Sequence, residues 1–256
     1  MGQPATVDSP VTHQALHAWQ IVPSGDACLI IQFADQFSLA ANRHAAAVAR
    51  FIESLRSDGS LAGITDVVPG MVTVGLHYRP ERVHCLAGEL PYRSLSRQLE
   101  TLLGGLDIGA STAASMEITL PVCYGGEHGP DLDDVARACG LTPREVIELH
   151  TSTPVDVLML GFAPGHAYIG QFDPRLGIPR RSTPRTRVAK GSIGVANRQS
   201  VIYPSDLPGG WNLIGRTPLS VFDLASPSPC LLQAGDRVRF VEIDAQQFQA
   251  LAEKQA

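Results

Sequence analysis

Short apolar runs and two longer stretches of helical spacing alternate along the first half of the chain. Four runs predict strands, in two pairs that each surround a turn: 17–22 with 27–33, and 63–68 with 71–78. Apolar residues recur at intervals of three and four over 38–56 and over 93–103, and glycine follows each stretch. We therefore expect two helices against one side of a mostly antiparallel sheet, in the order β-β-α-β-β-α.

The pattern changes after a linker of small residues at 109–115. A strand is predicted at 116–124, followed by a short helix that Asp131 can cap. Thr142 is the predicted N-cap of the next helix, with proline at the first helical position and Glu145 completing a capping box. The two helices are therefore expected to interrupt a region made mainly of strands.

Short strands dominate the rest of the chain. From 163 to 229, prolines and glycines recur between short β-branched runs, which is typical of a β-barrel. A turn and a last alternating strand within 234–243 precede a short terminal helix. The predicted fold class is α+β, with a small N-terminal α+β sandwich, a β-barrel domain and a C-terminal tail at 15–114, 115–245 and 246–256, respectively.

Composition narrows the function classes. The chain has 256 residues, of which 44% are hydrophobic and 18% charged, and its net charge is −5. An acidic protein lacks the basic surface of a general nucleic-acid binder. No apolar run approaches the roughly 18 residues of a membrane span, and the first residues lack the features of a signal peptide, so we expect a cytoplasmic protein without a membrane partner. The five cysteines are scattered without metal-ligand spacing, so free thiols and no metal site are expected.

A proline-rich stretch at 177–188, "GIPRRSTPRTRV", concentrates positive charge in this acidic chain. Proline disfavours helix here, so its arginines lie along an extended backbone on which Arg185 and Arg187, or a pair formed with Arg181, can share one face. Guanidinium groups bind carboxylate or phosphate oxygens in bidentate fashion. The stretch, including Arg180, is therefore a candidate anion site, and the alternative interpretation is a solvated strand with structural ion pairs.

Three further segments carry polar or aromatic residues in long loops, where binding residues concentrate. They contribute a histidine, a lysine and an indole that either line a ligand site or only fill turns: His166 with Tyr168, Lys190 with Gln199, and Trp211 with Arg216. No Ser-His-Asp arrangement, phosphate loop or zinc motif is present. His150 lies in the last turn of its helix, where a structural role is the simpler interpretation.

Read together, these segments resemble a known family. "CYGGEHGPDL", "LGFAPGHAYIG", "PRRSTPRTRV", "GSIGVANRQSVIYP", "PGGWNLIGRT" and "AGDRVRF", in this order and spacing, closely resemble the B-subunit family of 5-oxoprolinase. The family is also called KipI or allophanate hydrolase subunit 1, and includes carboxyltransferase subdomains C and D. The resemblance implies that the barrel is cyclophilin-like. The chain departs from the family at three places: an aromatic usually stands at His166, Pro-Ala at Ala189-Lys190, and glycine at Asn197.

The resemblance also implies an activity and partners. Members act with a KipA-like C component and a LamB/YcsF-type A component to convert 5-oxo-L-proline to L-glutamate, with hydrolysis of ATP in the presence of Mg²⁺. On this basis we expect Arg185, Lys190 and His166 to take part in catalysis. Substrate or nucleotide would be bound by Tyr168, Arg180, Arg187, Gln199, Trp211 and Arg216. Two other roles remain open: a carboxyltransferase component of a biotin-dependent urea carboxylase, and an inhibitor that binds a sensor histidine kinase.

Overall fold

The computed structural model describes residues 19–105 and 115–254. Its strands are β1 (Gln20–Pro23), β2 (Cys28–Gln32), β3 (Ile64–Pro69), β4 (Thr73–Tyr78), β5 (Glu117–Tyr124), β6 (Val155–Leu160), β7 (Ala167–Gly170), β8 (Arg185–Val188), β9 (Ser192–Ala196), β10 (Gln199–Ile202), β11 (Leu207–Gly209), β12 (Asn212–Arg216) and β13 (Arg237–Glu242). Its helices are α1 (Leu39–Ser57), α2 (Pro91–Gly104), α3 (Leu132–Cys139), α4 (Pro143–Thr151) and α5 (Ala245–Glu253).

Residues 19–105 form an antiparallel sheet of order β1-β2-β4-β3, with α1 and α2 against it. Alternation along β2 and β4 sends Leu29, Ile31, Val74 and Leu76 into the core beneath the helices, where all four are fully buried. The Ser38 hydroxyl caps α1 by accepting from the Ala41 N–H at 3.1 Å. The predicted β-β-α-β-β-α unit is confirmed.

Residues 115–254 build a closed barrel of order β10-β7-β6-β13-β5-β12-β9, which β9 and β10 close. All neighbours are antiparallel except β13 and β5, which run parallel. Branched aliphatic side chains fill the interior, among them Val157, Ile169, Ile193 and Ile214. The α+β class with a closed barrel is therefore confirmed. The short ribbon of β8 and β11 lies outside the barrel sheet.

The helix-capping predictions had different outcomes. For α4 the capping box is present: the Glu145 N–H donates to the Thr142 hydroxyl at 3.2 Å, and the Thr142 N–H donates to the Glu145 carboxylate at 2.8 Å. Asp131 stands at the N-cap position of α3, but its side chain makes no capping hydrogen bond. The prediction of an Asp131 side-chain cap is thus wrong, because two arginines and another backbone N–H bind this carboxylate.

The β9–β10 hairpin turns through Asn197 and Arg198, which have φ values of 50° and 65°. Two central residues with positive φ define a type I′ turn, which matches the twist of the flanking strands. Asparagine tolerates this conformation better than other residues with a side chain. Asn197 can therefore replace the glycine that usually stands at this position.

Helix α1 connects the sheet to the barrel. The Asn42 amide nitrogen donates to the carbonyl oxygens of Met71 and Leu158, both at 2.8 Å, and Arg43 pairs with Asp156 of β6 at 2.9 Å. Arg50 donates to the Ala234 carbonyl at 3.1 Å. The predicted linker and the boundary after residue 114 fall largely on residues 106–114, which lie outside the described residues, as does the predicted start at residue 15. The domain bounds therefore stay a prediction.

Candidate functional site

A cluster of aromatic rings covers the outer face of the barrel sheet, between the sheet and the β8–β11 ribbon. Strand alternation separates the two faces of β10: Ser200 points into the barrel, and Val201 packs on Trp211 and Tyr203. Tyr168 and Trp211 meet edge to face, with ring centroids 6.1 Å apart. Gly194 lets Trp211 pack closely against β9, because a Cβ at position 194 would lie 2.6 Å from the Trp211 Cβ.

His166 lies at one end of this cluster, just before β7. Its ring makes edge contacts with Tyr168 and Tyr203 at centroid distances of 5.0 and 5.4 Å. Burial lowers the pKa of His166 to about 4, so the imidazole is neutral at pH 7. Its Nδ1 is buried without a hydrogen-bond partner in the described structure. His166 can therefore form a hydrogen bond with a ligand or exchange a proton with it, but its imidazole is uncharged at pH 7.

Asp131 organises the arginine stretch beside the aromatic rings. Its side chain is 5% exposed and accepts from Arg181 at 3.1 Å, from Arg185 at 2.7 Å and from the Leu213 backbone N–H at 2.7 Å. Two guanidinium groups therefore converge on one buried carboxylate. The Arg185 Nη1 atom is buried and has no hydrogen-bond partner among the described residues, so Arg185 retains a donor that nothing in the described chain satisfies.

Arg180 lies over the indole of Trp211. Its guanidinium carbon is 5.9 Å from the Trp211 ring centroid, a cation–π arrangement. The loop that carries Arg180 is tied to the barrel, because Asn212 donates to the Pro179 carbonyl at 2.9 Å and the Arg181 N–H donates to the Gly210 carbonyl at 2.7 Å. The site thus combines flat aromatic rings with guanidinium groups whose positions are fixed. This arrangement suits a small anion with a planar body.

The structure brings together some of the predicted site residues and separates others. Gln199 lies on the outer face of β10 by strand alternation, the face that also carries Val201. Arg187 instead pairs with Asp206, at 2.9 Å from its Nε. Lys190 donates its backbone N–H to the same Asp206 at 2.9 Å, and its carbonyl accepts from Arg216 at 2.8 Å. The arginine–aromatic site is hereafter the set His166, Tyr168, Arg180, Arg181, Arg185, Tyr203, Trp211 and Asp131.

Asp131 and Tyr203 are site residues that sequence reasoning missed. Asp131 occurs in an acidic run before a helix, a local pattern that favours capping, and its arginine partners lie 50 and 54 residues away. Burial raises the pKa of Tyr203, while the nearby Trp211 backbone N–H and the charges of Arg180 and Arg185 oppose that rise. Only the fold brings these groups together, so no local signal could have identified them.

His150 lies inside the barrel, away from the arginine–aromatic site. Its Nδ1 is 2.7 Å from the Tyr124 hydroxyl and its Nε2 is 3.1 Å from the Ser200 hydroxyl, which donates onward to the Gly194 carbonyl. Because the Ser200 hydroxyl donates onward, it accepts from the Nε2–H of His150, and the Tyr124 hydroxyl donates to Nδ1 of the neutral ring. Burial lowers the pKa of His150 to about 3. The structural role predicted for His150 fits this position, and the ring is neutral rather than a cation that favours the C-terminus of the helix.

Two other features are absent from residues 19–105 and 115–254. Within the described ranges, no group of three or more His, Cys, Asp or Glu side chains is placed to hold a metal ion. No helix in this part of the chain is long and apolar enough to cross a bilayer.

Comparisons with known proteins agree with the fold. The closed barrel and the small α+β unit are of the carboxyltransferase type, and the family "Carboxyltransferase domain, subdomain C and D" matches residues 19–232. The chain belongs to this family, and within it to the B-subunit family of 5-oxoprolinase. It is 37% identical over 240 residues to the 5-oxoprolinase B subunit of Bacillus subtilis, covering 92% of this chain and 98% of that one.

Solved structures show the same fold. The crystal structure of TTHA0988 superimposes with a TM-score of 0.70 at 36% identity, over 86% of this chain and 40% of that longer chain. The urea amidolyase of Kluyveromyces lactis has a TM-score of 0.65 at 18% identity, over 92% of this chain and 15% of that one. The second likeness concerns the fold alone, and urea amidolyase is a distant relative.

Proposed function

We propose that this chain is the B component of an ATP-dependent 5-oxoprolinase, a cyclic-amide hydrolase that is active only with its partners. The observation that carries the proposal is the 37% identity to a relative named as the B component of 5-oxoprolinase, over 98% of that relative's length. In this proposal a KipA-like C component and a LamB/YcsF-type A component complete the enzyme, in the cytoplasm. ATP with Mg²⁺ is a co-substrate of the assembled complex.

The arginine–aromatic site supplies anion binding in this proposal. Opening a lactam develops negative charge on the amide oxygen, and preorganised guanidinium groups stabilise such charge without reorganising. Arg185 and Arg180 hold the anion, Trp211 and Tyr168 form the walls, and His166 offers a neutral imidazole. Asp131 already binds two guanidinium groups, so acids that hold Mg²⁺ would come from the partner proteins.

Three predicted residues take a different place in this proposal. Arg187, Lys190 and Arg216 are linked to one another through Asp206 and the Lys190 carbonyl. Asp206 and Asp131 are the centres of two separate ion-pair sets, which favours substrate contact by one set over joint contact by Arg180, Arg185, Arg187 and Lys190. We assign substrate contact to the Arg180 and Arg185 set.

Reconstitution with the C and A components tests the proposal. We expect 5-oxoproline-dependent release of ADP by the complete mixture, and at least a tenfold loss of kcat/KM for Arg185→Ala because a transition-state contact of more than about 1.4 kcal/mol is removed. Arg175→Ala is the matched control, since Arg175 pairs with Asp173 at 3.0 Å and is exposed. No ADP release by the complete mixture, or equal activity of both variants, would contradict the proposal.

A further inference from the structure

A second concave site lies between the β8–β9 turn, the segment after β12 and helix α5. The groove has a volume of about 240 Å³, and its lining includes Lys190, Arg216, Leu219 and Phe248. Pockets for drug-sized ligands span roughly 300–1,000 Å³. The groove is therefore sized for a smaller molecule.

Two positive charges flank this groove without a carboxylate partner. Arg216 donates its Nε–H to the Lys190 carbonyl at 2.8 Å, and its guanidinium carbon lies 6.0 Å from the Phe248 ring centroid. Neither Arg216 nor the Lys190 ammonium forms an ion pair with a carboxylate in the described part of the chain. The Asp206 carboxylate lies close enough to interact with the charge of Arg216, but its hydrogen bonds go to Arg187 and to the Lys190 backbone N–H. The groove thus keeps an excess of positive charge in a chain of net charge −5.

The floor of the groove is apolar. Phe248 is 9% exposed and packs on the His128 ring at a centroid distance of 4.3 Å. Burial lowers the pKa of His128, so its imidazole adds no third charge at pH 7. A ligand here meets the two cations next to the hydrocarbon surface of Leu219 and Phe248.

The groove is distinct from the arginine–aromatic site. Trp211 directly precedes β12 and Arg216 ends it, and five residues of strand at about 3.3 Å each separate them by roughly 16 Å. Asp131 pairs with Arg181 and Arg185 in the arginine–aromatic site, whereas Asp206, beside the groove, pairs with Arg187. A ligand small enough for the groove cannot reach both.

We propose that this groove binds a small organic carboxylate. The free Arg216 nitrogens and the Lys190 ammonium would hold the carboxylate oxygens, and Leu219 and Phe248 would cover the apolar body. Inorganic phosphate would leave the apolar floor uncovered, and a neutral molecule would leave the two cations unpaired. The inference concerns the isolated chain and does not depend on 5-oxoprolinase activity.

Benzoate is a suitable probe, followed by amide chemical shifts of the ¹⁵N-labelled chain. We expect saturable shifts at Phe248 and Ala252 of α5, and none from benzyl alcohol, the neutral analogue, at equal concentration. Lys190→Met should weaken benzoate binding at least fivefold, because it removes one cation and keeps the length of the side chain. Lys254→Met is the matched control, since Lys254 lies just beyond α5 and does not line the groove.

Three results would overturn the proposal. The first is the absence of saturable α5 shifts with benzoate, and the second is equal affinity in Lys190→Met and Lys254→Met. The third is inorganic phosphate binding as tightly as benzoate at the same residues, which would make the groove a general anion site. The unchanged fold of Lys190→Met is verified from the remaining amide signals, because the Lys190 ammonium has no described contact.

Discussion

Asp131 fixes the positions of two arginines from the charged stretch at 177–188. A carboxylate that is 5% exposed and faces two guanidinium groups is desolvated, and its free energy is favourable only while those partners remain. The Leu213 N–H adds a third donor, at 2.7 Å. We infer that Asp131 fixes the position of Arg185 rather than contacting a ligand itself.

Replacing this carboxylate tests that inference. Asp131→Asn leaves two guanidinium groups without a counter-charge, and we expect the free energy of unfolding to fall by about 2–3 kcal/mol, somewhat less than for a fully buried pair because Arg181 and Arg185 are 36% and 26% exposed. Asp206→Asn is the matched control: its pair with Arg187 is exposed to solvent and should contribute much less to stability. Urea denaturation measures the free energy of unfolding of both variants. Equal losses would contradict the inference, because Asp131 would then contribute no more than an exposed ion pair.

Buried neutral histidines make stability depend on pH. Burial lowers the pKa of His166 to about 4 and that of His150 to about 3 in the folded state, from 6.5. As the pH falls below 6.5 the unfolded chain binds protons that the folded chain does not, so stability is lost with falling pH until the folded groups titrate. Between pH 6 and 5, each of these histidines should contribute a slope of about 1 kcal/mol per pH unit, because the unfolded imidazole is mostly protonated there and the folded one mostly neutral.

His166→Phe tests this linkage, since it removes one buried imidazole and keeps a ring. We expect its free energy of unfolding to fall less steeply between pH 6 and 5 than that of the unchanged protein, by close to one proton. Tyr168→Phe, in the same cluster, should leave the slope unchanged. Parallel slopes for His166→Phe and the unchanged protein would show that His166 is protonated, or exposed, in the folded state.

Residue-level predictions from sequence succeed only where the partners are local. The Thr142–Glu145 box could be predicted because both groups lie within one turn of helix. The assignment of Asp131 failed because its partners are brought to it by the ribbon and by β12. The pairing of Arg187 with Asp206, 19 residues away, was hidden for the same reason. A charge in an extended loop has no periodicity that reveals its partner.

At the scale of elements, the apolar pattern predicted most strands and helices because burial of one face sets the periodicity. Helix α1 was expected at 38–56 and spans Leu39–Ser57, and the last strand was expected within 234–243 and spans Arg237–Glu242. The parallel pairing of β13 with β5 could not be predicted, since alternation shows which face is buried but not which strand is the neighbour. The barrel order therefore had to come from the structure.

The capping box of α4 should contribute measurably to stability. Thr142→Ala removes the hydroxyl that accepts from the Glu145 N–H, and we expect the free energy of unfolding to fall by about 1 kcal/mol. Thr142→Ser keeps an acceptor and should lose much less. Thermal and urea unfolding measure both variants, and an alanine variant as stable as the serine variant would show that solvent replaces the cap without cost.

At the scale of the whole molecule, one buried amide joins the sheet to the barrel. Asn42 is 1% exposed and donates to Met71 beside the sheet and to Leu158 in the barrel, both at 2.8 Å. The nearby pair of Arg43 and Asp156 spans the same junction, but the Arg43 side chain is 62% exposed. Buried hydrogen bonds outweigh exposed ion pairs in stability, so we infer that Asn42 is the stronger link.

Asn42→Ala tests this link, with Arg43→Ala as its matched control. The buried Leu158 carbonyl and the partly buried Met71 carbonyl lose their donor in Asn42→Ala, and we expect the free energy of unfolding to fall by about 2 kcal/mol. Arg43→Ala should lose at most about 1 kcal/mol. Hydrogen exchange locates the effect: the amides of α1 and β6 should exchange faster in Asn42→Ala, while those of β10, on the other side of β7, should change less. If Arg43→Ala is as damaging as Asn42→Ala, or if exchange rises equally at β10, the junction depends on the surface charge or on the general stability of the barrel instead.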